Sequence, residues 1–241
     1  MKNIPLPEKI IYAVVLLLVG AGAVISHIDQ DFLENKYMVE DGVIEWLTVF
    51  GFLAGMVVCF RRVVLLRSEK PLLFLAATMM LGLAYLFCAG EEISWGQRVF
   101  GWGTGDFFKS HNAQEETNLH NLRIGGVKLN KLIFSKLLAL VLALYFCVMS
   151  PLHSKKQGVA RFMDSLAIPV PRMRQFIACA VMAIIAQVLT DSTNKGELAE
   201  FGGSWIFLMI LVYPINRAVF EPQKNETKKD EQNDEVETAP Q

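Results

Sequence analysis

Residues 71–98 read PLLFLAATMMLGLAYLFCAGEEISWGQR, and this stretch decides the class of fold. From Pro71 to Ala89 there is no charged residue, and Gly90 closes the run. An α-helix rises about 1.5 Å per residue, so roughly 20 apolar residues cross the ~30 Å hydrocarbon core of a bilayer. Polarity then switches abruptly. Glu91 and Glu92 stand side by side at the end of the run, and Ser94, Trp95, Gln97 and Arg98 follow.

Similar apolar runs recur on both sides of this one. They cover Ile10–Ile25, Val43–Phe60, Leu132–Met149, Phe176–Leu189 and Phe201–Phe220. With Pro71–Gly90 the pattern predicts an all-α, polytopic membrane bundle of about six transmembrane helices occupying residues 1–220. The chain is 53% hydrophobic with a mean hydropathy of +0.35, which is too apolar for an ordinary soluble domain. Ala21-Gly22-Ala23 resembles a signal-peptidase site. An uncleaved first span is the better reading, because further spans follow and no soluble mature domain does.

The net charge of -1 gives no basic surface for nucleic acid, so that partner class is excluded. The expected partner is membrane lipid, and the sequence points to no particular protein partner. Cys59, Cys88, Cys147 and Cys179 all lie in apolar runs and never as a CxxC pair. They read as small buried hydrophobes rather than a disulfide or zinc framework.

Lys and Arg set the orientation, because cytoplasmic loops carry the excess. Arg61, Arg62, Arg67 and Lys70 fall in one short loop, and Lys155, Lys156, Arg161, Arg172 and Arg174 fall in another. Lys36 and Lys195 are the only bases of the first and third loops on the opposite side. Both termini are therefore expected in the cytoplasm, with an outward loop at 91–131 and a disordered polar tail at 221–241. Pro169 and Pro171 should keep the second basic loop non-helical. Under this topology Trp46, Trp95, Trp102 and Trp205 gather at the outer boundary, as do His27, His111 and His120. That one-sidedness makes the outer face the expected working face.

Three carboxylates are the candidate acids or bases. Glu91 and Glu92 sit at the rim of the third span, and neighbours on a helix diverge by about 100°, so the two cannot share a direction. If the helix continued through GEEISWGQ, Glu91, Trp95 and Arg98 would share a face and Glu92 would turn elsewhere. Glu45 lies three residues into the second span amid apolar neighbours, where an inward orientation avoids the cost of lipid exposure. Its competing reading is a carboxylate that snorkels to the headgroups. Burial raises a carboxyl pKa, which suits proton transfer.

HNAQEETNLHN (111–121) would, as a helix, set His111 with Glu115 and Glu116 with His120, each pair four residues apart. His120, Glu116 and His111 are thus the candidate ligands of a divalent metal such as zinc, with a third-span carboxylate completing the shell. No HExxH accompanies them, and a plain polar surface helix is the competing reading. The glycines of FGWGTGDFF (100–108) lack the Lys-Ser/Thr of a phosphate loop and read as a turn. Asp191, Glu197 and Glu200 could join the same site, with a solvated acidic loop as the better reading, and Lys136 reads as a snorkelling base.

GEEISWGQR (90–98) together with NLHN (118–121) resembles a signature of uncharacterised multi-pass bacterial inner-membrane proteins. The resemblance implies a bacterial plasma-membrane location and no particular reaction. The ceramidase and adiponectin-receptor superfamily of zinc hydrolases is not adopted, since the chain lacks their C-terminal HxxxH and their seventh span. The leading expectation is a membrane-embedded, metal-assisted hydrolase or transferase acting on a lipid or lipid-linked substrate. Its rivals are a transporter or lipid flippase, and a non-catalytic subunit of a membrane assembly.

Overall fold

The computed structural model describes residues 4–124, 127–128 and 137–223. Eight helices organise them: α1 Leu6–Ser26, α2 Val43–Leu66, α3 Leu72–Glu92, α4 Asp106–His111, α5 Leu138–Lys155, α6 Gln157–Ser165, α7 Met173–Leu189 and α8 Gly196–Val212. Among the described residues the regular structure is helical apart from a two-residue antiparallel pairing, Arg123–Ile124 with Val127–Lys128, and an isolated bridge between Asn112 and Leu122. Of these helices α1, α2, α3 and α5 are long and apolar enough to cross a membrane. Helix α7 is shorter, and α8 has 17 residues.

Helix α8 is the spine. Its Phe201, Ile206 and Ile210 are buried against Val15 and Val19 of α1, Ile44 of α2, and Met182 and Ala186 of α7. Close approach between helices relies on small residues, as it does in membranes generally. A Cβ added at Gly55 would lie 2.6 Å from the Tyr85 ring, and one at Gly82 would lie 2.5 Å from the Phe60 ring. Those two glycines therefore let α2 and α3 interlock ring against backbone.

Contacts sort the helix ends into two layers. At one end Glu8 of α1 meets Arg174 of α7, Arg62 of α2 donates to the Leu211 carbonyl of α8 (2.7 Å), and Leu66, Phe74, Ala167 and Phe220 form a small core. At the other end the Asp191 amide donates to Ser26 (3.0 Å), His27 bonds the Leu189 carbonyl (2.8 Å), and Glu45 meets Arg98. We call these the arginine end and the carboxylate end.

Several expected boundaries shift for physical reasons. Helix α2 runs past Arg61 and Arg62 to Leu66, because Arg62 Nη2 donates to the Leu211 carbonyl and its guanidinium lies over the Phe220 ring (4.2 Å). Helix α5 extends beyond Met149 through Pro151. A widened turn at Leu144–Met149 precedes the proline, and Ser150 donates to the Tyr145 carbonyl (2.8 Å). Residues 129–136, including the expected start of that span and Lys136, lie outside the described residues, as does the tail beyond 223. The second basic loop, expected to be non-helical, contains α6. Lys156 and 166–172, the latter around the two prolines, are non-helical. Helix α8 begins at Gly196 and stops at Val212, ahead of Pro214, so the expected run to Phe220 is broken.

Candidate carboxylate site

The opening stretch folds as a hinge at the carboxylate end. Helix α3 stops at Glu92, and Ser94, Trp95 and Gly96 follow with φ of 47°, 56° and 80°. Left-handed backbone is unfavourable for Ser and Trp, at about 1–2 kcal/mol each. Here it is held by the side chains it positions. The expected helical continuation through GEEISWGQ is absent because this turn reverses the chain. Trp95 still reaches back, its Nε1 donating to Glu91 Oε1 (2.9 Å).

The turn gives the two adjacent glutamates different tasks. Glu91 is 5% exposed, and its Oε2 accepts the backbone N–H groups of Leu119 (2.6 Å) and His120 (3.1 Å). His120 Nδ1 lies 3.7 Å from the same oxygen. Glu91 is thereby a clamp on the loop that follows α4. Glu92 points instead towards α8, where its carboxylate meets those of Glu197 and Glu200. One oxygen from each of the three lies within 4.8 Å of the others.

Segment 112–122 is not a helix. Asn112 organises it, donating to the Asn118 carbonyl (2.9 Å) and side chain (2.8 Å) and accepting from the Gln114 amide (2.8 Å). Glu115 takes a left-handed φ of 59°. The four-residue pairings of His111 with Glu115 and of Glu116 with His120 therefore do not form. His111 stacks on Phe107 (ring centroids 4.7 Å apart), and its Nδ1 lies 2.9 Å from the Phe107 carbonyl. Glu116 accepts from Ser94 Oγ (2.5 Å), from Asn118 (3.1 Å) and from Arg98. His120 sits beside Glu91 and Asn121. His120, Glu116 and His111 thus have separate partners and do not converge on one ligand position.

Arg98 is the hub that the sequence did not reveal. Its Nη2 pairs with Glu45 (2.8 Å), and its Nη1 pairs with Glu116 and faces Glu40 at 3.7 Å. Its Nε is 2.8 Å from Asp41 Oδ2, although off the line that a hydrogen bond requires. Glu45, 7% exposed, also accepts the Asp41 amide (2.6 Å). Glu45 is therefore inward and bound to a cation. Burial works against the Arg98 charge, but the hydrogen bond and charge of Glu116, with the pull of Glu45, outweigh it and raise its pKa. Glu40 moves up from the ordinary carboxylate range through burial first and the Glu116 charge second, with Arg98 opposing.

The trio of Glu92, Glu197 and Glu200 has the opposite character. Among the described residues, none of the ion pairs or side-chain hydrogen bonds involves any of the three. Glu45 is close enough to add its own repulsion. Helix geometry divides them further. Glu197 and Glu200 sit in the first turns of α8, where the N-terminal partial charge favours anions, but Glu92 sits at the C-terminus of α3, where it does not. Crowded carboxylates at a half-buried rim must share protons or a cation. Among the described residues this is the one group whose His, Cys, Asp or Glu ligand atoms converge at metal-holding distances. Its donors are oxygens only, which suits Ca²⁺, Mg²⁺ or Mn²⁺ better than zinc.

Sequence reasoning read Glu197 and Glu200 as solvated loop residues. The available signal was their spacing: ELAE places two acids three apart, on one face, at the head of an apolar run. Comparison with protein-family models, curated proteins and solved structures finds no match to this chain. Function is therefore argued from the site's own chemistry.

Proposed function

We propose that the chain is a six-pass bacterial plasma-membrane protein whose outer rim holds a divalent cation between Glu92, Glu197 and Glu200. There it acts as a hydrolase or transferase on the polar head of a lipid or lipid-linked substrate. The crowding of three carboxylates with no ion-paired cation among the described residues carries this reading. The alternating helix ends support six crossings, since α7 and α8 continue the antiparallel order of the longer helices. The Lys and Arg excess of the 61–70 and 155–174 loops supports cytoplasmic termini. A hard cation at the rim supplies a centre for phosphate or carbonyl oxygens. Ser94, Glu116, Arg98 and Glu91 act as the frame that fixes the rim.

Purified protein should carry, or take up, Mn²⁺ or Ca²⁺, and divalent titration should raise its melting temperature. Glu92→Gln with Glu200→Gln should remove that response, whereas His111→Ala should keep it. A metal-free wild type indifferent to Mg²⁺, Ca²⁺ and Mn²⁺ would sink the metal reading. The second reading is then favoured by the same crowding: shared protons on the trio, as in a proton-coupled transporter.

A further inference from the structure

The arginine end carries a second feature, remote from the carboxylate rim. A cavity of about 250 Å³ runs lengthwise between α1 and α7, with Ile206 of α8 at its base. Its walls are aliphatic, with Leu16 and Val19 on one side and Ile177 and Val181 on the other. At its arginine end the wall changes to Tyr12 and Arg174. A larger cavity of about 470 Å³, between α3, α5 and α8, has no charged side chain in its lining. The two differ in the kind of molecule they fit.

The cations are set by helix register. Lys9 and Leu16 are seven residues apart on α1 and so share a face, which places exposed Lys9 below the groove in line with Leu16. Arg174 likewise precedes Val181 by seven on α7. Arg174 is held by a bidentate pair with Glu8, through Nε (3.0 Å) and Nη2 (2.7 Å), leaving Nη1 for a further acceptor. Glu8 is 0% exposed and also takes the Tyr12 hydroxyl (2.8 Å) and Gln175 Nε2 (3.2 Å). Its charge is thus consumed internally. Lys9, Arg172 and Arg174 against one buried Glu8 leave this end positive.

We infer that the α1–α7 groove binds one anionic glycerophospholipid, its acyl chain along Leu16, Val19, Ile177 and Val181 and its phosphate head at Lys9 and Arg174. Charge complementarity selects this occupant. An aliphatic trough alone takes any chain, but one with Arg174 in its wall and Lys9 beyond its end on the α1 side prefers a head with net negative charge. A basic residue at an anionic lipid surface contributes about fivefold, and with the Arg174 charge matched by Glu8 the uncompensated Lys9 sets a preference of about fivefold.

The test uses the full chain purified in detergent, titrated with phosphatidylglycerol and with phosphatidylcholine of matched acyl chains. Bound lipid is read by native mass spectrometry. Phosphatidylglycerol should bind one per chain and about fivefold more tightly, and Lys9→Gln should abolish that preference. Val181→Trp, at an exposed position, fills the trough and should weaken both lipids without unfolding the protein. Equal affinity for the two lipids overturns the anionic selection. Unchanged affinity in Val181→Trp overturns the groove, and places any phosphatidylglycerol preference on the general basic surface.

Discussion

Replacing Glu91 by Gln should loosen the 112–122 segment without unfolding the bundle. The carboxylate serves three donors: the Leu119 and His120 amides on one oxygen and the Trp95 indole on the other. A glutamine amide has a single oxygen, so in every rotamer at least one of those donors loses its acceptor, at about 1–3 kcal/mol. The bonds that survive change from charge-assisted to neutral, which removes about 1 kcal/mol more. A total of about 2–4 kcal/mol corresponds to a rise of roughly thirtyfold to several hundredfold in local opening. Hydrogen exchange of the Leu119 and His120 amides, followed by mass spectrometry in detergent, measures this directly. Glu92→Gln is the matched control, one residue away and without any such bond. If Glu91→Gln exchanges no faster than wild type, or if Glu92→Gln exchanges equally fast, the clamp is refuted.

Three further outcomes follow from the same geometry. Arg98→Gln leaves Glu45 and Glu116, both largely buried, without their cation and should lower stability by about 3–5 kcal/mol. Adding Glu116→Gln should restore part of that loss in thermal unfolding. Glu40, whose folded pKa is raised, holds its proton more tightly folded than unfolded, so its contribution is present below the unfolded value and is lost as pH rises through the folded one. Melting temperature measured from acid to neutral pH should therefore fall less steeply in Glu40→Gln than in wild type. Gly82→Leu should force α3 off the Phe60 ring and cost about 1–3 kcal/mol or more. Gly20→Leu, with nothing within 4 Å of the added Cβ, should leave the melting temperature unchanged.

Hydrophobicity made the bundle legible. An apolar run such as 71–90 has one low-energy home, and helices formed where the runs lay. The ends were less legible, since they depend on partners far along the chain. Arg61 and Arg62 looked like a stop, yet Arg62 finds the Leu211 carbonyl from 149 positions away and α2 continues. For Glu45 the apolar neighbours left two readings open, inward or snorkelling, and the residue is 7% exposed. Its partner Arg98 could not be foreseen, because the left-handed turn at Ser94–Gly96 aims that side chain. The helical spacing that had paired Glu116 with His120 is removed by the Asn112 hydrogen bonds and the left-handed Glu115. The choice between a site role and a solvated loop for Glu197 and Glu200 stayed open for a related reason. Without the position of Glu92, two acids before an apolar run look like solvated loop residues. Glu8 attracted no notice as a lone acid near the first run, although it became the most deeply buried charge of the arginine end.

That buried acid has a consequence in time. Glu8 and Arg174 are separated by 166 residues, and a ribosome adding roughly 5–20 residues per second delivers the arginine roughly eight to thirty seconds after the glutamate. During that interval the first helix carries a carboxylate with no cation to meet it. Its final seating must wait until the seventh helix arrives. The pair therefore orders assembly as well as stabilising the product: a chain cut short before Arg174 leaves its first helix unsatisfied, and is marked as unfinished from its beginning.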